Sequence, residues 1–445
     1  MAGAPTPTDV YTKLHRIAKQ ASDAPQMVFN NLIHLVDLKL LREAYKLTRK
    51  NGAPGIDQVT AKEYGVRLER NLQSLLERMK AGQYKAPPVK RVHIPKDDKG
   101  NTRPIGIPTF EDKVLQRAVA MVLGAIYEQD FLNCSFGFRP GRGAHQALEA
   151  VRGTLMEMRG GWVLEVDIKD FFGAIDHAKL RSVLDLRVRC SGLRRFIGKW
   201  LKAGVMEGHT LYHPDSGTPQ GGVISPLLAN IYLHEVLDTW FEQTVKPRME
   251  GRAELVRYAD DFVCVFTSEA DARRVWDVLS KRFGKFGLTL HEEKTRLVAF
   301  ERPKTRGTTS PGPSRPETFD FLGFTHYWGK IPGKSWVVMR KTARSRLRRA
   351  LKKIAVYCKK NRHEPVREQH KKLCEKISGH INYFGVALNM RSLGELIYQT
   401  IITWRKALNR RSQRAKMTWK KMFQLLARYP LPKPRVVHRI GAAKL

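Results

Sequence analysis

The chain has 445 residues, 42% of them hydrophobic and 9% aromatic, enough for two or three domains with a sizeable core. No apolar run reaches the ~18 residues of a membrane span, and the five cysteines lie scattered with no CxxC pair, which excludes a disulfide framework and a zinc site. The 80 Lys and Arg outnumber 42 Asp and Glu to give +38, an imbalance that calls for a polyanionic partner, above all nucleic acid.

Residues 1–50 read as an N-terminal helical extension, with apolar residues at helical spacing in VFNNLIHLVDLKLLREAYKLTRK. Gly52, Pro54 and Gly55 in NGAPGID mark a break. KAPPVKRVHIPK begins two strand-like pieces around a turn at DDKGN, a basic hairpin suited to phosphate contacts. EDKVLQRAVAMVLGAIYE (111–128) predicts a helix with Val114, Leu115, Ala118, Val122 and Ile126 on its apolar face.

WVLEVDIKDFF (162–172) predicts a buried strand that ends in a carboxylate, and SPLLANIYLHEVLD (225–238) a helix with Ser225 as N-cap and Pro226 following. VRYADDFVCVF (256–266) predicts a hairpin, EADARRVWDVLSKRFGKFG an amphipathic helix, and FDFLGFTHYW a hairpin or strand. Residues 302–317, rich in Pro, Gly, Ser and Thr, read as a surface loop. Beyond about 337 the strand patterns stop, and ARSRLRRALKKIAVYCKK opens a basic helical region. Residues 341–445 hold 28 Lys and Arg against 4 Asp and Glu, so that quarter carries +24 of the total. The expected fold class is α+β, with helices packed on one face of a sheet.

The chemistry centres on Asp260 and Asp261, two adjacent acids inside a run of strand-forming apolar residues. Burying carboxylates side by side is costly unless a cation neutralises them. Asp167 closes the other apolar strand. If the two strands are neighbours, three carboxylates converge, an oxygen-only set suited to Mg²⁺. Two such ions about 4 Å apart can activate a hydroxyl and stabilise the leaving oxygen in phosphoryl transfer.

YADD (258–261) resembles the Y-x-D-D box of reverse transcriptases, and the order of motifs around it resembles group II intron reverse transcriptases, also called maturases. The matching stretches are NGAPGID, RPIGIPTFEDKVLQRA, SFGFRPGRGAHQAL, VDIKDFF, GTPQGGVISPLLANIYL, YADD, GLTLHEEKT and FLGF, which together span about 50 to 325. The resemblance implies a right-hand polymerase: fingers and palm over 51–335, then an all-helical thumb and maturase (X) domain over 336–445.

In that frame Asp167, Asp260 and Asp261 would be catalytic, and with the Ile168 carbonyl would hold two Mg²⁺ ions, for which Mn²⁺ is a possible substitute. Lys96 and Arg103 would grip the incoming dNTP. Phe172 would sit under its sugar, Gln220 would line its pocket, and Lys294 would meet its pyrophosphate. Phe321, Leu322, Gly323 and Phe324 would form the primer grip. Gly221 and Gly222 would let backbone approach closely.

Arg139 and Arg142 would contact template or nucleotide. GHINYFGV, ITWRKALNRRSQR, MTWKKMFQLL and YPLPKPRVVH resemble the X domain, where Trp404, Arg405, Arg410, Arg411 and Lys420 would bind RNA by phosphate pairing and base stacking. The implied partners are group II intron RNA, an RNA template with a DNA primer, dNTPs and target DNA, with no membrane. The implied function is RNA-directed DNA synthesis with assistance to splicing and retromobility, in a bacterial cytoplasm.

The HNH endonuclease of many relatives is missing from the sequence, so the priming nick is expected from elsewhere. Two alternatives stay open: an RNA-binding splicing maturase with a vestigial polymerase, and a domesticated reverse transcriptase in phage defence or CRISPR spacer acquisition. Sequence leaves the oligomeric state open.

Overall fold

The computed structural model describes residues 9–95, 101–207, 210–212, 217, 221–303, 317–331, 336–412 and 416–439. Lys96, Gln220 and nearly all of the expected 302–317 loop lie outside the described residues. The fold mixes helices and strands, as the α+β expectation requires. The first strands are β1 (Val89–Pro95), β2 (Thr102–Ile107), β3 (Gly160–Asp167), β4 (Val205–Glu207) and β5 (Thr210–Tyr212). They are followed by β6 (Ala253–Tyr258), β7 (Asp261–Phe266), β8 (Arg296–Glu301), β9 (Phe319–Phe321), β10 (Phe324–Lys330) and β11 (Trp336–Thr342). Their sheet orders are β2-β1-β4-β5, β6-β7-β3-β8 and β11-β10-β9.

The chain divides into two compact units: residues 1–147, 164–264 and 268–296, and residues 148–163, 265–267 and 297–445. In the first unit, helix Phe110–Asp130 is buried along both sides, Val119 and Leu123 included with the predicted face. The residue before it, Thr109, caps it by accepting a bond from the Asp112 amide. The N-terminal helices fall within this unit. Arg187 ties the end of helix Asp9–Asp23 into this unit, donating to the carbonyls of Ala21 and Ala24 and pairing with Asp130 at 2.9 Å.

The predicted basic hairpin forms from β1 and β2, antiparallel with Ile94 opposite Arg103. Helix Ser225–Leu233 begins where its Ser-Pro pair suggested, but Ser225 is its first turn rather than its cap. Ile224 holds the cap position, and the buried Gln116 side chain accepts instead from the Val223 amide at 2.8 Å. The predicted single helix to residue 238 changes winding after Leu233 and continues in wider π-type turns.

In the second unit, FDFLGF is a two-residue hairpin between β9 and β10, with Leu322 (φ 49°) and Gly323 (φ 81°) both left-handed. That pairing is the usual way to close a tight hairpin without splaying its strands. The helices Arg344–Lys360, Val366–Phe384, Met390–Asn409 and Trp419–Arg428 follow. Their shared core includes Ile354, Cys358, Leu373, Leu396, Trp404 and Met422. The unit holds β9, β10 and β11 together with these helices. No helix among the described residues is long and apolar enough to cross a membrane.

Candidate active site

β3 and β7 are neighbours in the sheet, the condition on which the carboxylate argument depended. Asp167 ends β3, and Asp260 stands in the two-residue turn between β6 and β7. Burial pushes the Asp260 carboxyl above its ordinary range. The Asp167 charge pushes the same way, while the Arg103 and Arg257 guanidiniums oppose it. Distant acids thus share one electrostatic neighbourhood, and Arg103 of the basic hairpin faces it.

The third expected acid, Asp261, follows directly on Asp260. Asp261 is exposed at the start of β7, and among the described residues no group of three His, Cys, Asp or Glu side chains is gathered tightly enough to hold a metal ion. Of the expected acids, Asp167 and Asp260 are linked electrostatically.

The pair still fits Mg²⁺, which binds through one or two carboxylates and completes its shell with water and substrate phosphates. Lys294 supports the fit: its ammonium lies 2.7 Å from an Asp167 oxygen, a cation already seated on this carboxylate. The Ile168 carbonyl is the further oxygen expected in the set. Ile168 pairs with Leu290 through flanking bonds only, Lys169 N–H to the Thr289 carbonyl (2.9 Å) and His291 N–H to the Asp167 carbonyl (2.8 Å). In that antiparallel pattern the Ile168 carbonyl is turned away from the 289–291 segment.

What holds the Asp260 turn is a buried ionic network that sequence reading missed. Arg257 and Asp238 are both fully buried and paired in fork geometry at 2.7 and 2.5 Å. Arg257 also donates to the Asn230 side chain (3.0 Å), the Ser135 hydroxyl (2.8 Å) and the Ala259 carbonyl (3.0 Å). Ala259 adopts φ 58°, a left-handed conformation costly for a residue with a side chain.

The turn is backed by Gly137, where a Cβ would lie 2.4 Å from the Ala259 nitrogen. The Asn230 amide fixes Gly137 by donating to its carbonyl at 2.7 Å. SFGF, LLANIYL and YADD, separate in the sequence, meet at this one turn. An arginine between two apolar residues of a strand was the available signal for the network.

Phe171 is core and Phe172 only partly buried, their rings 5.3 Å apart. At Gly221 (φ 116°) a Cβ would meet the Gly106 carbonyl oxygen at 2.6 Å, so the glycine is required by the backbone approach to β2. Phe321 and Phe324 are fully buried and anchor the hairpin whose tip is Leu322-Gly323. Tyr383 pins that tip by donating to the Leu322 carbonyl at 2.8 Å.

Three residues expected at RNA have partners within the protein. Arg139 is 7% exposed and bonded to Glu128 and to the Leu132 and Ser135 carbonyls, so it braces a loop. Arg142 is likewise engaged, by the Asn133 carbonyl and side chain. Trp404 is a core residue whose indole donates to Gln369 at 2.8 Å, unable to stack on a base.

Arg410 and Lys420 are exposed, whereas Arg411 is partly buried and donates to the Glu364 carbonyl. Trp419 and Phe423, 40% and 63% exposed, stack at 5.8 Å with Arg405 lying 4.4 Å from the Trp419 ring centre.

A carboxylate pair at a strand end and a tight turn, faced by a basic hairpin, is the arrangement of a phosphoryl-transfer palm. Residues 94–326 match the model of the reverse transcriptase (RNA-dependent DNA polymerase) family, and the chain belongs to that family.

It is 39% identical over 227 residues to the group II intron-encoded protein LtrA of Lactococcus lactis subsp. cremoris, covering 50% of this chain and 37% of LtrA. It is 33% identical over 321 residues to protein YkfC of Escherichia coli strain K12, covering 63% of this chain and 83% of YkfC. Nuclear intron maturase 4, mitochondrial, of Arabidopsis thaliana is 29% identical over 128 residues, 28% of this chain and 16% of that protein. The alignment with LtrA thus spans little more than a third of that relative.

Proposed function

We propose that the protein is an RNA-directed DNA polymerase of the group II intron class, which copies RNA into cDNA and binds intron RNA to assist splicing and retromobility. The observation that carries this reading is that Asp167 ends β3 and Asp260 sits in the turn leading into its neighbour β7, with the charges of Asp167 and Arg103 both felt at Asp260. Asp167, Asp260 and the Ile168 carbonyl are the groups that would hold Mg²⁺. When bound, the metal would lower the pKa of the primer 3′-hydroxyl and neutralise charge on the transferring phosphate.

The chain's own groups do the rest. Arg103 attracts the nucleotide phosphates, and Phe172 offers a ring against the sugar. Gly221 keeps the pocket backbone tight on β2, and Arg257 fixes the turn that aims Asp260. Basic helices beyond residue 336 form the thumb and X region in this reading. Their exposed Trp419–Phe423 stack, with Lys420 beside it, suits an unpaired base and its phosphate. The similarity to LtrA and to an intron maturase supports the splicing role, and a bacterial cytoplasm is the natural setting.

Primer extension on an RNA template with dNTPs and Mg²⁺ tests the proposal. Asp260→Ala is expected to abolish cDNA synthesis while RNA affinity stays within a few fold. Undiminished synthesis by that variant would sink the assignment of the site.

A further inference from the structure

Outside the carboxylate site, the first unit carries a second concavity, of about 790 Å³. It is lined by Lys85, Arg181, Arg194, Arg195, Lys199 and Lys202, and by no carboxylate. Helix Ser191–Leu201 builds most of it. Leu193, Phe196, Ile197, Trp200 and Leu201 bury one side of that helix. Arg195, Lys199 and Lys202 recur on the other side at intervals of four and three, the spacing of one helical face. Arg181 joins from helix His177–Asp185, and Lys85 from the segment before β1.

The wall is rigid. The Lys199 ammonium is bonded to the Tyr84 carbonyl and lies 5.7 Å from the Tyr84 ring centre. The Tyr84 hydroxyl in turn accepts from the Trp200 indole (2.8 Å) and donates to the buried Asp112 (2.5 Å). Among the described residues only Arg194 of these six has an acidic partner, Asp185 at 2.8 Å, and its Nε–H finds no acceptor there. Five like charges held around one hollow repel one another, an arrangement that costs stability unless an anion enters.

A single small anion would leave most of that charge uncompensated. A phosphodiester backbone, with a charge every ~1.7 Å of duplex axis, can meet several cations together. We infer that this concavity is a second nucleic-acid site, which grips the phosphodiester backbone of structured RNA away from the carboxylate pair. It shares no residue with Asp167, Asp260 or Arg103. The inference rests on the proposed function only in taking RNA as the polyanion.

The test uses the full chain with Arg181, Arg195 and Lys202 replaced together by Gln, and in a second variant by Glu, leaving the bonded Arg194 and Lys199 intact. Binding of a hairpin RNA and of the same sequence as duplex DNA is measured across a salt series. Affinity for RNA is expected to fall about tenfold or more, and the slope of log K against log salt to lessen by roughly 2 to 3. Extension of a short primer–template is expected to keep its kcat and KM. A loss shared by DNA supports recognition of phosphate alone; a loss confined to RNA supports a 2′-hydroxyl contribution as well.

Unchanged RNA affinity and salt slope in variants that melt like the parent would overturn the inference. So would a KM for the short substrate that rises in step with the RNA Kd, which would place these cations on the substrate path. Thiouridine photo-crosslinking to the unaltered chain gives a readout independent of folding. Adducts are expected on residues 181–202, and their absence would overturn the assignment. A parent protein that binds the hairpin but never extends a primer would refute the polymerase reading and leave this site standing.

Discussion

Arg257 offers the sharpest separation of structure from catalysis. Its side chain and that of Asp238 are both 0% exposed, with bonds of 2.7 and 2.5 Å between them. Arg257→Met strands the Asp238 carboxylate in the interior, an uncompensated charge that costs about 3–5 kcal/mol. Adding Asp238→Leu removes that charge, and buried pairs replaced by apolar residues often return to near the parent stability or above it.

The Ala259 carbonyl, however, still lacks the 3.0 Å bond that holds its left-handed turn. The expected result is therefore a split. Urea midpoints drop sharply in Arg257→Met and recover in the double variant, while kcat for primer extension stays low in both. If extension returned together with stability, Arg257 would be a packing residue with no part in aiming Asp260. If the single variant cost less than about 1 kcal/mol, the buried-charge reasoning itself would fail.

Gly137→Ala drives a methyl to 2.4 Å from the Ala259 nitrogen and should displace the same turn from behind, lowering extension while RNA affinity, read by filter binding, holds. Burial pushes the Asp112 carboxyl up to about 7. Its contribution to stability is thus full below the unfolded value near 4 and lost as pH rises through 7, on the order of 2–4 kcal/mol. Asp112→Asn should flatten that part of a melting-temperature profile. His326 has the opposite sign: burial, aided by Arg340, pushes it down to about 3 while its ring lies flat on Phe319 at 4.6 Å. Stability present above pH ~6.5 is lost as pH falls toward 3, and His326→Phe should remove that acid sensitivity.

Local pattern carried much of the fold. Strand composition and Gly placement located the hairpins at β1–β2, β6–β7 and β9–β10, and helical spacing located the helix Phe110–Asp130. Each of these is decided within about twenty residues. The misses share a different cause. Ser225 was read as a cap because Ser-Pro is a good local signal, yet a glutamine 109 positions earlier satisfies the amides before it. FLGF was read as one functional motif, although its two phenylalanines are core and its two central residues are the turn. Asp167 and Asp260 are joined by strand pairing across about 90 residues, which sequence can only suppose from two apolar strands ending in acids.

Charge shows the same limit most clearly. A total of +38 points to a polyanion without saying which cations are free to meet it. Arg139, Arg187 and Arg257 are nearly or wholly buried, each with a carboxylate in reach and carbonyl or hydroxyl oxygens accepting from other N–H groups. Arg257 and its acid partner lie only 19 residues apart, yet neither sits in a motif that advertises the pairing. A cation becomes structural when the chain returns an acid to it, and that return is a property of topology. Arg181, Arg195 and Lys202 show the converse: ordinary basic residues on helix surfaces become a site because two helices and the lead into a strand turn them toward one hollow with no acid in its lining.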